Sequence, residues 1–548
     1  MKHIFLFALL LASIVTANAQ IIDLKREPGT DDSTVLQRAF LQKDINAVVI
    51  SSSFVLNGYL RIPKGKTLKF EPGCTITGKG TINGGIIDAG YQQKIFDTSL
   101  TVNPESVNQY FSVKWFGAKG DNVDDYAAIQ KSINTCLKNG IRTVYLPLGH
   151  YKISKPLIVR GNGVSDTAYN FCTLEILGES SFWDANTGTE LMPTFNNTFA
   201  IGIQRGKGCK VRKVRITGQF KGPAVATTMD YYNIDFNDFT DKASRDNRYS
   251  PYSAIVIDPF TNVPNKKEDT SAYYPGLHKY YGSNGRSSQS GSTATEIEEV
   301  SISGFVVGIC SSPNGATRNA EITIINKVQF ANCKLCISGG QDQEKENVIS
   351  NAYCWGGTHT FFATGLYGAG RMAGNWIIDN INIAGSVIRF INNQQHGYFA
   401  THISHVYAEM LGTWGTINSE LASEISGCSV DFASQTIVGK KTVITSWGKN
   451  IVYRGCNFRY YGEKTPLTIE GDCVFDHCYF SGPIEQKKAI SNAFYNPGNE
   501  SPTLFSLWSI FFVFTVIGVI YYFVKRKYKK QVSIAPLRSD ENAYLRFE

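Results

Sequence analysis

The amino-acid sequence predicts an all-β solenoid, a stack of coils of three short strands each, on three observations. From about residue 210 onward the helical period disappears, and short β-branched runs broken by Gly and Asn take its place. Comparable runs begin near Ile302, Val328, Ile381, Val406, Val430, Phe458 and Phe480, with a weaker one near Tyr353, at spacings of 22 to 28 residues. Such a period lets each coil stack its apolar side chains on those of its neighbours. Cys428, Cys456 and Cys478 fall at nearly the same point of successive runs, as an interior ladder of small apolar side chains requires. A β-sandwich would instead place hairpin turns every ~8–12 residues with polar alternation.

Composition agrees. The chain has 548 residues, 43% hydrophobic and 18% charged, too apolar for intrinsic disorder. Half of its net charge of +8 lies in the tail after residue 524, where Lys525, Arg526, Lys527, Lys529, Lys530, Arg538 and Arg546 stand against Asp540, Glu541 and Glu548. So weak a balance over the long body gives no case for nucleic-acid binding, which needs a concentrated basic face.

In chain order, residues 1–19 read as a removed export signal. Lys2 precedes the apolar run Ile4 to Ala12, and Ala17-Asn18-Ala19 is the small-x-small pattern that a signal peptidase accepts. Residues 20–109 form a first β-rich unit that begins with a helix. Its Gly29-Thr30-Asp31-Asp32-Ser33-Thr34-Val35-Leu36-Gln37 recurs around Asp124-Asp125-Tyr126-Ala127-Ala128-Ile129-Gln130, with the Asp pairs 93 residues apart. Each pair stands directly before an amphipathic helix start, so both read as caps that accept backbone N–H bonds rather than as catalytic carboxylates. Each helix then runs into a strand, Ala47-Val48-Val49-Ile50 and Thr143-Val144-Tyr145-Leu146.

Cys333-Lys334-Leu335-Cys336 lacks a second pair at zinc spacing and reads as structural, and no metal or other cofactor is expected, with calcium left open. Residues 261–293 form a long insertion rich in Tyr at first and in Ser and Gly at its end. Long loops on a solenoid carry binding, and Tyr faces stack on sugar rings, while the Ser/Gly tract suits a flexible surface loop. After the coils, 491–503 reads as a linker. Leu504 to Val524 is 21 residues without a charge, about 30 Å as a helix, and reads as a single membrane span. The basic run after it places residues 525–548 in the cytoplasm and residues 20–503 outside, periplasmic or at the cell surface.

The segment Val113-Lys114-Trp115-Phe116-Gly117-Ala118-Lys119-Gly120-Asp121-Asn122-Val123-Asp124-Asp125, followed by Thr143-Val144-Tyr145-Leu146-Pro147-Leu148-Gly149-His150-Tyr151, resembles the opening motif of the pectate-lyase-like superfamily. The rhamnogalacturonase/epimerase-like branch is the closest in pattern. The resemblance implies a right-handed parallel β-helix over residues 110–490, with an N-terminal capping helix, and a polysaccharide as substrate or ligand. That family includes hydrolases, lyases, epimerases and phage tail-spike proteins. The Asn-Thr-Asp and Gly-His-Gly motifs of polygalacturonases are absent here.

A lyase needs a base to take the proton beside a uronate carboxylate and a cation to hold that carboxylate. Arg389 to Glu409 supplies both, with Arg389, His396, His402, His405 and Glu409 in one stretch. On a helix His402, His405 and Glu409 would share a face and suggest zinc; on a strand, which the period favours, His402 and His405 point to opposite sides. Asp258, in Ile257-Asp258-Pro259, is similar to the Asp-Pro-His of β-helix uronan epimerases, with Phe260 where that family has His, and also suits a strand-ending turn. The expected function is lyase or glycoside hydrolase action on uronate-containing, pectin-like glycan. The competing expectation is a non-catalytic glycan-binding or surface structural β-helix, and the oligomeric state is left open.

Overall fold

The computed structural model describes residues 20–160, 171–181, 187–221, 252–259, 292–311, 321–339, 346–364, 375–385, 387–394, 400–419, 422–433, 443–460 and 466–487, all within one compact unit. The expected export signal, most of the 261–293 insertion, the linker, the membrane span and the tail lie outside the described residues. Among the described residues no helix is long and apolar enough to cross a membrane.

Helix α1 (Asp32–Leu41) opens the first unit. Asp31 caps it, its carboxylate accepting the Thr34 N–H at 2.9 Å. Val35, Leu36, Ala39 and Phe40 give it one buried stripe, which lies on the strands Gln20–Leu24 and Ile45–Ile50. Short parallel strands follow in three small sheets of four, two and three strands.

Helix α2 (Tyr126–Asn139) opens the second, larger stack, and buries Ile129, Ile133 and Cys136 along one stripe. Gly140, at φ 71°, ends it in the left-handed conformation that glycine adopts without strain. The second Asp pair departs from the expected double cap. Asp125 turns back and accepts the N–H groups of Lys119 and Gly120 at 2.7 and 2.8 Å. Asp124 takes over, binding the Tyr126 N–H and both donors of Ser154. The pair therefore ties the helix start to the first coil and to the loop before it.

From Thr143 the chain winds in coils whose strands all pair in parallel, each with its counterpart one coil on. Three sheets result. Sheet A begins with Phe111–Ser112 and continues in Thr143–Leu146, sheet B begins with Asp121–Asp124 and continues in Gly149–Ile153, and sheet C begins with Leu157–Arg160. Parallel strands buried on the inner side stack identical positions ~4.8 Å apart. The interior is therefore built of rows, such as Ile302, Phe330 and Cys354 in sheet B and the aromatic stack Phe361, Phe390 and Trp414 in sheet C. The runs read from the sequence between Ile302 and Phe480 all fall in sheet B.

From Lys213 onward the chain turns between sheets A and B on one residue in left-handed conformation. Lys213, Glu299, Lys327, Asn351, Asn380, His405 and His477 all have φ from 52° to 56°, and Gly427 and Gly455 take the same place. The Asn side chains knit these bends, Asn380 Nδ2 donating to Asn351 Oδ1 at 2.6 Å and Asn351 Nδ2 to Asn326 Oδ1 at 2.8 Å. None of the twelve cysteines is in a disulfide, and nine of them are buried, including Cys428 and Cys456; Cys478 is half-buried.

Candidate functional site

The outer sides of sheets A and B are where side chains meet solvent in the middle coils. On sheet B, Tyr353, Asn382 and Tyr407 occupy one outward row in three successive coils, because the residues on either side of each, Ala352 and Cys354, Ile381 and Ile383, Val406 and Ala408, turn inward. Trp355, two residues after Tyr353, lies on the same side and is 38% exposed; Tyr407 is 41% exposed. Tyr407 Oη donates to Glu409 Oε1 at 2.6 Å, a bond that pushes the phenol's pKa up. In the next coils Arg459 grips Asp431 through Nε and through Nη2 at 3.0 Å. Aromatic faces flanked by amide, carboxylate and guanidinium groups are a surface on which sugar rings stack and hydroxyls bond.

At the bend beside this row, His405 Nδ1 lies 2.8 Å from Asp379 Oδ1, and Ser404 Oγ donates to the same oxygen at 2.6 Å. The Ser404 bond first, then His405, holds the Asp379 carboxyl below its ordinary value against the opposing effect of burial. His402 points outward from sheet A, in register with Glu424 of the next coil. The expectation that His402 and His405 face opposite sides is corrected: both are exposed. His405 is the left-handed bend residue, with φ 53°, and the turn there breaks the strict alternation of a straight strand. No group of three or more His, Cys, Asp or Glu among the described residues could hold a metal ion.

Arg389 is elsewhere. It lies on sheet C, on the side of the coil opposite the A–B bend, in register with Thr360 and Thr413. Its side chain is on the outer side of that sheet, packed beside Gly415, yet only 7% exposed. Nε donates to Thr360 Oγ1 at 3.3 Å, and loss of water brings the guanidinium pKa down to about 10. Arg389 therefore does not converge with His402, His405 and Glu409. His396 lies outside the described residues.

Asp258 is fully buried at the end of a sheet C strand. Its carboxylate accepts the Ser292 N–H at 2.6 Å, Ser292 Oγ at 2.7 Å and the Arg205 N–H at 3.1 Å. Burial raises its pKa against these donors. Three donors from two neighbouring coils make it a clasp that closes the coil across the insertion. The residues that sequence reasoning passed over, Trp355, Asn382 and Tyr407, carry no motif; the signal for them is their alternate placement within each coil, readable once register is known.

Residues 110–180 match the family model described as rhamnogalacturonase A/epimerase, pectate lyase-like. The resemblance to pectate-lyase-like right-handed β-helices is thus borne out on the segment that carries it. Among solved structures, the chain is similar to the A-module of mannuronan C-5 epimerase from Azotobacter vinelandii, at 13% identity and a TM-score of 0.32, over 70% of this chain and 98% of the module. It is also similar to the catalytic domain of a GH87 α-1,3-glucanase in complex with tetrasaccharides, at 10% identity and a TM-score of 0.33, over 66% of each chain. The tailspike protein of Acinetobacter baumannii phage AM24 matches at 13% identity and a TM-score of 0.33, over 69% of this chain and 53% of the tailspike. At such scores none of the three bears on which residues act. No curated protein matches the chain.

Proposed function

We propose that this protein is a membrane-anchored, extracytoplasmic β-helix that binds polysaccharide along the outer side of sheet B and acts on it as a lyase or glycoside hydrolase, with uronate-containing glycan as the substrate class. The observation that supports this reading most is the outward row of Tyr353, Asn382 and Tyr407 with Trp355 beside it, on a rigid stack that holds neighbouring rings at a fixed spacing. The family matched at residues 110–180, whose description is that of polysaccharide-acting proteins, is in keeping with it. Residues 1–19 as export signal, 504–524 as anchor and 525–548 as cytoplasmic tail belong to the same proposal, on the physical grounds of length, charge and flanking aromatics.

The second reading, a binder without turnover, is favoured by Arg389, which is buried on sheet C and away from the exposed His402, His405 and Glu409. The test incubates the detergent-solubilised full chain with a glycan panel, with calcium and with a chelator. Unsaturated product marks a lyase, new reducing ends a hydrolase, and binding without either product the second reading. Absence of binding to every uronate-containing glycan in the panel would sink the substrate class.

A further inference from the structure

We propose that His150, oriented by Glu190, is a proton-accepting site on sheet B, reached by a uronate-containing chain that lies along the solenoid axis; this rests on the glycan reading above. His150, Glu190 and Arg215 occupy one outward row in three successive coils, and the exposed Asp121 lies in register with His150 on its other side. Glu190 Oε2 lies 2.7 Å from His150 Nδ1, while Oε1 accepts Thr217 Oγ1 at 2.5 Å and faces Arg215 Nε at 3.3 Å. An ionised carboxylate only accepts, so the proton of the neutral imidazole sits on Nδ1 and the lone pair on Nε2. Nε2 is then the base, and the anchored Glu190 stabilises the imidazolium that forms when it takes a proton.

Among the described residues, burial separates this pair from the two other His–carboxylate pairs of the outer surface. The side chains of His150 and Glu190 are 26% and 9% exposed, against 70% and 42% for His405 and Asp379 and 88% and 39% for His477 and Asp476. A charge pair interacts more strongly where water is partly excluded. Lys152, two residues beyond His150 on the same side of the strand, is placed to hold a uronate carboxylate. The step is an elimination: Nε2 takes the hydrogen from the carbon beside the carboxylate, the C–H electrons form a carbon–carbon double bond, and the bond to the glycosidic oxygen on the next carbon breaks. The departing oxygen takes a proton from water.

The row continues from His150, Glu190 and Arg215 through Ser301 and Gln329 to Tyr353. Tyr407 is two coils further, seven coil steps from His150, or ~34 Å at ~4.8 Å per step. A chain docked on the aromatic rings and running along this face reaches the imidazole without leaving sheet B.

The test compares wild type, His150→Asn, Glu190→Gln, Trp355→Ala and His405→Ala as full chains in detergent, on polygalacturonate, alginate and glucuronan. Binding is read by calorimetry and elimination by the absorbance of unsaturated product. His150→Asn keeps an N–H for Glu190 and removes the base, so binding stays within twofold and turnover falls at least 100-fold. Glu190→Gln lowers kcat about tenfold with KM unchanged, and His405→Ala keeps at least half of the turnover. Full turnover in His150→Asn, or wild type that binds these polymers and forms no unsaturated product, overturns the inference and leaves the glycan reading standing. Wild type that binds none of them overturns both. Nitrogen NMR of the unliganded wild type is an independent check, since a neutral His150 carrying its proton on Nε2 refutes the assignment even if a variant fails to fold.

Discussion

Trp355→Ala tests the role of sheet B directly. The indole is 38% exposed on the outer side of the sheet, and a Trp side chain offers up to ~250 Å², so about 95 Å² faces solvent. A sugar ring lying on that face covers about two thirds of it, roughly 60 Å². At ~25 cal/mol per Å² that burial contributes about 1.5 kcal/mol, or a little over tenfold in Kd. Calorimetric titration of the full chain in detergent with the best glycan of the panel is the assay, for wild type and variant side by side. The expected outcome is a tenfold weaker Kd with the melting temperature within a degree or two, since the removed ring lies outside the coil. A variant that keeps its Kd within twofold refutes the role of this face. Affinity lost together with a large fall in melting temperature would mean that the ring supports the fold instead.

Arg389→Ala is expected to lower stability by about 2 kcal/mol, because the change removes a buried hydrogen bond to Thr360 and opens a void on sheet C; a thermal melt matching wild type would contradict this. Burial pushes the thiols of Cys333 and Cys473 up to about 12 and about 11, so these two should resist thiol reagents at neutral pH in the native protein. Half-buried Cys478 should react before Cys428 and Cys456, and Cys→Ala at either buried site should cost about 1 kcal/mol; mass spectrometry of labelled peptides that finds disulfides would contradict the ladder. Asp379, whose folded-state pKa is depressed, contributes stability that is complete above the ~3.9 of an unfolded Asp and is lost as pH falls through the lower folded value. Ser404→Ala removes the largest cause and should move the carboxyl titration upward by NMR, and an unmoved midpoint would refute the assignment.

The coil period was legible where coils are short. From Ile297 onward the interior positions of sheet A recur with few interruptions through Ile325, Ile349, Ile378 and Ile403, and the spacing read from sequence is the spacing of the stack. Before that the same fold was hidden, because Val211 pairs with Ile297, 86 residues on, and no period survives such an insertion. The site was less legible for a different reason. Arg389 looked like a lone cation in an uncharged strand, which is equally the pattern of an outward groove residue and of a residue covered from outside; only its 7% exposure decides. Asp258-Pro259 looked like either a motif or a turn, and the three donors around its carboxylate come from residues 34 and 53 positions away, beyond any local reading.

The left-handed bend between sheets A and B explains why the His cluster was the most visible feature of the sequence and why the proton chemistry is assigned elsewhere. In coil after coil the bend residue reaches back to the coil before it: Asn351 to Asn326, Asn380 to Asn351, His405 to Asp379. His405 thus occupies a place that Asn fills in two neighbouring coils, and what the place asks of its side chain is a hydrogen bond along the stack. A group with that task needs no exchangeable proton, and His405 at 70% exposure also loses to water much of what Asp379 offers it. His150 sits mid-strand, where the side chain is not needed to make a turn, and its carboxylate partner is buried and held by two further groups. A base needs that combination: an imidazole free of duty in the turn, oriented through one nitrogen, with the other left for substrate.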